Sequence, residues 1–210
     1  MTTKKPLQTV HALISNEPSK QIVSEEVKLK PIRSKQSFPD LNLSEHEYVL
    51  AVFKRHPIGL FLPTIISSIL IFLTFLVIIN FKPDNGLYNP AAILSFGVLF
   101  IILIILVTYI YYHVYNSNKL FLTNEMVIQR IQLGLFSMSE QSISLADVED
   151  ASYTQSGLFQ HIFNYGSIKL STIGDEHTYS FIYASNPKKK IDDLNSAVEA
   201  FKNGRPVRLG

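Results

Sequence analysis

The sequence predicts an α+β membrane protein, built from a two-helix transmembrane hairpin and a small antiparallel β domain closed by a C-terminal helix. Three observations support this prediction. The middle of the chain is nearly free of charge, since residues 58–117 contain only Lys82 and Asp84 as charged residues. The segment after it alternates apolar and polar residues with the period of two that is typical of strands. Near the C-terminus, apolar residues recur at helical spacing.

Two uncharged runs, at about 58–80 and 91–112, are each long enough to cross a bilayer. Helices buried in a soluble core are the alternative, but such helices rarely stay apolar on all sides for so long. A signal peptide would be shorter and would begin at the N-terminus. The intervening Lys82–Pro90 contains Pro-Asp-Asn-Gly, which favours a tight turn. Residues 58–115 are therefore predicted to form an antiparallel transmembrane hairpin.

Basic residues are concentrated on one side of this hairpin, whereas the connecting loop contains one lysine. The positive-inside rule then predicts an integral protein of the plasma membrane with both termini in the cytoplasm. Tyrosines cluster at the end of the second run, as in the aromatic belts found at membrane interfaces. The predicted membrane-interface anchors are Lys54, Arg55, His56, Tyr111, Tyr112, Tyr115 and Lys119.

The residues before the hairpin divide into two segments. Residues 1–40 are polar and rich in Lys, Ser, Gln and Pro, and predict a disordered cytoplasmic tail. Residues 41–57 form a pre-membrane segment that contains a pattern similar to a capping box, Ser44-x-x-Glu47. Periodicity leaves open whether this segment is a short helix or a strand.

Residues 116–204 are predicted to form the folded domain, followed by a short tail at 205–210. Asn124, Gly134 and Gly174 mark turns between alternating segments. The predicted strands are Lys119–Leu122, Met126–Gln132, Ser137–Leu145, Val148–Thr154, Ser167–Ser171 and His177–Tyr183.

The closing helix has recognisable signals at both ends. Asn186 is predicted to be its N-cap and Pro187 its first residue. Its apolar face is predicted to comprise Ile191, Leu194, Val198 and Phe201. Gly204 suits the position after the C-terminus.

The order of these features resembles the bacterial pleckstrin-homology-like (PH-like), membrane-flanked domain family, long considered a domain of unknown function. The resemblance covers roughly 41–203, with departures at Met126 and Leu133. It implies a PH-like β-barrel tethered to a membrane, without known catalytic activity. The motifs that carry it are Glu47 followed by Lys54-Arg55-His56-Pro57, then NKLFLTNEMVIQR, ISLADVED, QSGLFQHIFNYGSIKL and Asn186-Pro187.

Residues 155–171 are interpreted as a structural signature of this fold, with a direct ligand contact as the alternative. Gly157 is predicted to permit a sharp turn, and Tyr165-Gly166 to start a strand with Gly166 at positive φ. The apolar residues between them are predicted to plug the barrel or face the bilayer; they are Leu158, Phe159, Ile162 and Phe163. Asn186 and Pro187 complete the signature.

The sequence offers no recognisable catalytic or metal-binding set. The absence of cysteine excludes disulfides and thiolate chemistry. The six histidines show no metalloprotease spacing, and phosphate-binding and nucleophile-elbow motifs are lacking. The formal net charge of +2 gives no global attraction for nucleic acid. We therefore expect no catalytic residues, metal or cofactor.

The predicted function is that of a non-enzymatic module at the cytoplasmic membrane face, which binds membrane lipids, a protein partner or further copies of itself. Lys188, Lys189 and Lys190 are either a solvated face or a contact for anionic headgroups. An oligomeric transporter or channel is an alternative, and an enzyme acting on lipids is a third hypothesis. The candidate polar lining for a pore is Ser67, Ser68, Thr74 and Ser95.

Overall fold

The computed structural model describes residues 29–80, 89–172 and 178–207. The chain divides into two compact units between Val49 and Leu50. In the first unit, residues 29–37 form a helix, α1, although the sequence predicted a disordered tail there. Residues 1–28 of that predicted tail lie outside the described residues.

The predicted capping pair of the first unit forms, but it does not start a helix. The backbone amide of Ser44 donates to Oε2 of Glu47 at 3.0 Å, and the next residues form a turn. The amide of Val49 donates to Oγ of Ser34 in α1, also at 3.0 Å. Strand β1 (Val49–Lys54) then begins, which settles the choice between helix and strand for this segment.

Two long apolar helices follow β1 and a 3-10 turn, Pro57–Leu60. Helix α2 spans Phe61–Asn80 and helix α3 spans Pro90–Ser117. By length and composition, both could cross a membrane. They bury very few side chains within the protein: none in α2, and only Ile104 and Tyr115 in α3. This exposure is unlike that of a core helix in a soluble protein.

The two helices are antiparallel, because Ser67 lies beside Thr108 and Ile78 lies beside Gly97. The hydroxyls of Ser67 and Thr108 are 2.7 Å apart. A Cβ on Gly97 would lie 2.5 Å from Cδ1 of Ile78, so glycine permits this close approach. Of the predicted turn between the helices, only Asn89 and Pro90 are described; Oδ1 of Asn89 accepts from the amide of Ala91 at 2.9 Å and caps α3.

The strands form two antiparallel sheets. The first has the order β1-β2-β3-β4, and the second has the order β5-β6-β7. The predicted strands are confirmed with small shifts at their ends, and the predicted turn at Gly174–Glu176 lies outside the described residues. The bounds are β2 Lys119–Thr123, β3 Met126–Gln132, β4 Met138–Ser144, β5 Val148–Thr154, β6 Tyr165–Thr172 and β7 Thr178–Ser185.

The structure shows two sheets where the sequence predicted one barrel. Within the described residues, no ladder joins β4 to β5. The sheets meet through an isolated bridge between Arg55 and Ala184. The side chain of Gln129, in β3, also donates to the carbonyl of Ser180, in β7, at 3.1 Å.

One amphipathic helix, α5 (Pro187–Lys202), packs on the core between the sheets. Ile191, Leu194 and Ala197 are buried, while Val198 and Phe201 pack at the edge of the core, so the predicted apolar face is confirmed. The core side chains supplied by the strands include Phe53, Leu120, Leu122, Val127, Val148, Ile168, Leu170 and Phe181, and Leu145, directly after β4, joins them.

The ends of α5 differ in how well they were predicted. Gly204 has φ +64°, as expected for a residue after a helix C-terminus. Asn186 precedes the helix, but it has φ 51° and its side chain makes no capping hydrogen bond. That side chain is engaged elsewhere, since Nδ2 of Asn164 donates to its Oδ1 at 3.1 Å.

Candidate functional site

The candidate site lies where the chain leaves the sheets and enters the apolar hairpin. Arg55 pairs with Ala184 at the end of β7, and two residues later the 3-10 turn into α2 begins. Helix α3 returns at the same place, because the Tyr115 hydroxyl donates to the carbonyl of His56 at 2.6 Å. The site is therefore built from both ends of the hairpin and from the second sheet.

A chain of aromatic rings links these elements. The ring of His56 stacks on Tyr165 with centroids 5.4 Å apart, and Tyr165 stacks on Tyr183 at 5.9 Å. Tyr183 meets the edge of Tyr115 at 6.3 Å, and Tyr115 stacks on Tyr111 at 6.3 Å. Offset-stacked and edge-to-face pairs at these distances are favourable. The rings thus connect β6 and β7 to α3. We call these five side chains the aromatic cluster.

His56 is held in this cluster by its backbone and its ring. Its amide donates to the carbonyl of Tyr183, and its Nδ1 accepts from the amide of Ile58 at 3.2 Å. A Cβ on Gly59 would overlap the ring of Tyr115, so a glycine is needed for the ring to reach His56. Burial, followed by the charge of Lys190, lowers the pKa of His56, which favours the neutral imidazole.

Arg55 places a cation against the same aromatic rings. Its guanidinium carbon lies 5.5 Å from the ring centroid of Tyr115 and 5.8 Å from that of Phe181, within cation–π range. Its Nε is buried and makes no hydrogen bond within the described residues. Burial lowers the pKa of Arg55 and the neighbouring tyrosines oppose that shift. The aromatic faces are the principal partners of this charge.

The three consecutive lysines at the start of α5 behave differently. Lys188 and Lys189 are exposed. Lys190 turns inward, where its Nζ donates to the carbonyl of Lys54 at 3.1 Å and lies 5.4 Å from the ring centroid of Phe53. Burial lowers the pKa of Lys190 to about 8. Lys190 therefore ties α5 to the end of β1, and two exposed lysines remain as candidate headgroup contacts.

The signature segment contains a short helix, α4 (Leu158–Ile162), between β5 and β6. Gly157 has φ +82°, which confirms the predicted sharp turn. Gly166 does not have positive φ, so that prediction was wrong. Its Cβ would lie 2.5 Å from the carbonyl oxygen of Thr154, and close backbone approach is the reason for glycine there.

Of the two alternatives predicted for the apolar residues of this segment, plugging the barrel is wrong, and facing the bilayer stays a prediction. Leu158 and Phe159 are 71% and 69% exposed, and Ile162 and Phe163 are also exposed. Polar contacts hold this segment instead. Nε2 of Gln155 donates to the carbonyls of Gln160 and Tyr165, both at 3.2 Å.

The remaining predicted anchors divide by exposure. Lys54, Tyr111 and Tyr112 are exposed, and Lys119 is partly buried at the start of β2. Tyr115 was predicted to face the interface, but it is only 4% exposed because it packs in the aromatic cluster.

Sequence reasoning missed Phe181 and Tyr183 as members of the site. Tyr183 has φ 58°, close to a register shift between β6 and β7. A shallow groove of about 280 Å³ lies beside Tyr183, lined also by Gln160, Tyr165, Ser167 and Ile182.

The comparisons with known proteins address the fold. The family model described as "Bacterial PH domain" matches residues 50–198, which is more than half of the chain and includes both apolar helices. This chain belongs to the bacterial PH domain family. No curated protein matches it. A DUF1696 family protein with a pleckstrin-homology domain from Shewanella loihica PV-4 is similar at 14% identity and a TM-score of 0.32; the match covers 40% of this chain and 69% of that one.

In this bacterial PH domain protein, the side chains at the site are suited to holding the ends of the hairpin against the second sheet. Its rings and cations contact one another, but the described residues contain no group of three or more His, Asp or Glu side chains that could hold a metal. PH-like domains are generally non-catalytic interaction modules, and nothing in the described residues adds evidence for catalysis.

Proposed function

We propose that this bacterial PH domain protein is a non-enzymatic module, which the α2–α3 hairpin anchors at the cytoplasmic face of the plasma membrane. There its sheets and α5 bind a protein or lipid partner, or a further copy of the chain. The observation that carries this proposal is the nearly complete exposure of two apolar helices that run directly into a folded PH-like unit.

The connections to the hairpin support a rigid anchor. Only Asn118 separates α3 from β2, and its Nδ2 donates to the carbonyls of Val114 at 2.7 Å and Gln132 at 3.2 Å. The amide of Gln132 donates back to Oδ1 of Asn118 at 3.1 Å. The aromatic cluster makes the second connection, between α3 and the strands β6 and β7. A unit held at two points would keep a defined orientation to the membrane.

No specific observation favours the channel alternative. The hydroxyls of Ser68, Thr74 and Ser95 each donate to a carbonyl four residues earlier in their own helix. The hydroxyl of Ser67 also bonds within its helix and contacts Thr108. His113 is the one ionisable side chain, apart from tyrosines, within the residues that form α2 and α3.

Photo-crosslinking in native membranes tests the interaction function. A photoreactive residue at Glu149 or Ser152, both exposed on β5, should crosslink to a defined protein or to the chain itself. The matched control is Ile69 in α2, which is exposed in the apolar helix and should crosslink to lipid.

Two outcomes would contradict the proposal. Extraction of the protein by alkaline carbonate would show that the hairpin does not anchor it in the membrane. If the protein resists extraction, but neither Glu149 and Ser152 nor the other exposed positions on the two sheets and α5 yield a protein or lipid adduct, the anchor stands and the interaction function does not.

A further inference from the structure

The two sheets and α5 have two distinct ends, and the hairpin leaves from one of them. At this end, which we call the hairpin end, Asn118 follows α3 and Gln132 ends β3. In the second sheet, the end of β7 and the start of β6 also lie at the hairpin end, since Arg55 pairs with Ala184 and Tyr165 pairs with Ser185. The connections β3–β4 and β5–β6 therefore both lie at the hairpin end.

The β3–β4 connection exposes apolar side chains beside the last turn of α3. Phe136 is 101% exposed, Leu133 and Leu135 are exposed as well, and so is Met138, the first residue of β4. Its backbone is ordered by the amide of Leu133, which donates to the carbonyl of Ser137 at 2.9 Å. In water, a turn of this kind would normally carry polar residues.

The β5–β6 connection, which contains α4, exposes a second apolar surface at the same end. Leu158, Phe159, Ile162 and Phe163 form it. The Tyr165 that follows α4 stacks on His56, immediately before the turn into α2. The polar contacts made by Gln155 fix α4 without burying any of these four side chains, so packing within the protein does not account for them.

The described connections at the opposite end carry acidic side chains and no large apolar ones. The β2–β3 turn carries Asn124 and Glu125, and the β4–β5 turn carries Ala146 and Asp147. Apolar turns thus occur where the hairpin leaves and acidic turns occur away from it. An anionic bilayer would repel the acidic turns.

Exposed cations accompany the apolar turns. Lys188 and Lys189 open α5 next to Asn186, whose amide donates to the carbonyl of Asn164 at 2.8 Å. Lys54 is exposed at the end of β1. Apolar side chains surrounded by lysines are the arrangement found in segments that lie in a membrane interface.

We infer that the apolar segments 133–138 and 158–163 both insert into the interface of the membrane crossed by the hairpin. Their ligand is the headgroup and upper acyl region of that membrane, with Lys54, Lys188 and Lys189 on the anionic headgroups. This inference rests on the proposed anchoring. It adds that the folded unit lies against the bilayer, with the acidic turns facing the cytoplasm.

Single-cysteine fluorescence tests this inference on the full chain, because the chain contains no cysteine of its own. An environment-sensitive nitrobenzoxadiazole label is placed by Phe136→Cys or Phe159→Cys. Asp147→Cys is the control for the opposite end, and Ile69→Cys is the control for the hairpin. All four side chains are exposed, so these substitutions leave the core intact. The protein is reconstituted in vesicles of phosphatidylethanolamine and phosphatidylglycerol.

The labels at 136 and 159 should show blue-shifted emission, quenching by nitroxide-bearing lipids, and little quenching by aqueous iodide. The label at 147 should show the reverse. Iodide quenching at 136 and 159, with lipid quenching at 69, overturns the inference and leaves the anchor standing. Iodide quenching at 69 overturns the anchor itself. Protection of 136 and 159 from both quenchers would assign the surface to a contact with another copy of the chain instead.

Discussion

At the scale of single residues, the side chains that join the hairpin to the sheets work by contact with one another. Tyr115 combines a hydrogen bond to His56 with ring contacts to Tyr111 and Tyr183. Arg55 lies against the same tyrosine. The consequence is a compact contact in which burial is the largest cause of the lowered pKa of Arg55 and of His56.

A substitution at Gly166 tests why this position of the signature segment needs glycine. The structure indicates a close backbone approach as the reason, and not the backbone conformation of the glycine itself. Gly166→Ala should lower the apparent Tm by several degrees, because a Cβ 2.5 Å from the Thr154 carbonyl forces a shift that costs about 1–3 kcal/mol. Gly134→Ala is the matched control, since nothing lies within 4 Å of its Cβ. Thermal unfolding in detergent measures both, and equal effects would refute the explanation.

Lys190 should make stability depend on pH. Its pKa is about 8 in the folded protein, against 10.5 for an ordinary lysine, because burial penalises the charged form. Between these values the unfolded chain binds more protons, so the free energy of unfolding rises with pH from about 8 to about 10.5. The rise should be modest, because solvent partly screens the group.

Lys190→Met should remove this part of the pH dependence, whereas Lys189→Met, at an exposed position, should retain it. The measurement is the difference in apparent Tm between each variant and the parent protein from pH 7.5 to pH 10. Parallel curves for the two variants would show that Lys190 titrates as an ordinary surface lysine.

At the scale of elements, sequence patterns predicted the features that neighbouring residues determine, such as the ends of strands and the apolar face of a helix. Strands β3 and β5 begin and end where alternation and turn residues placed them, and α5 buries the predicted face. The pairing of distant segments leaves no local pattern, so the two separate sheets were not predicted. The helix at 29–37 lacked sustained apolar periodicity and was missed.

The site was predicted only in part for the same reason. Lys54, Arg55 and His56 were identified from their position before an apolar run, and Tyr115 from its place in a tyrosine cluster. Burial of Tyr115 and the inward turn of Lys190 depend on contacts across 59 and 136 positions of sequence, which spacing does not reveal. The positive φ of Tyr183 has no local signal at all.

The hairpin offers a matched pair for the contact between α2 and α3. Ser67→Ala removes the hydroxyl that contacts Thr108 in the other helix. It should cost about 0.6 kcal/mol, the mean for a hydrogen bond between membrane helices. Ser68→Ala should change stability less, since that hydroxyl bonds only within its own helix. Unfolding of both variants by denaturant in mixed micelles provides the comparison; a larger loss for Ser68→Ala would exclude the cross-helix role.

At the scale of the whole molecule, the account joins a PH-like unit to two apolar helices. The family assignment covers both parts. In the proposed arrangement both ends of the hairpin face one side of the membrane, and the positive-inside rule applied to Lys54, Arg55 and Lys119 favours the cytoplasmic side. The short connection between α2 and α3 would then be the part exposed on the outside.

The most direct test of this arrangement is cysteine accessibility in intact bacterial cells. Asn85→Cys lies between the two helices, Lys35→Cys precedes them and Asp147→Cys follows them. A membrane-impermeant maleimide should label Asn85→Cys in intact cells, and the other two only after the membrane is permeabilised. Labelling of Lys35→Cys and Asp147→Cys in intact cells, with Asn85→Cys protected, would reverse the orientation. Equal labelling of all three variants only after lysis would contradict a spanning hairpin.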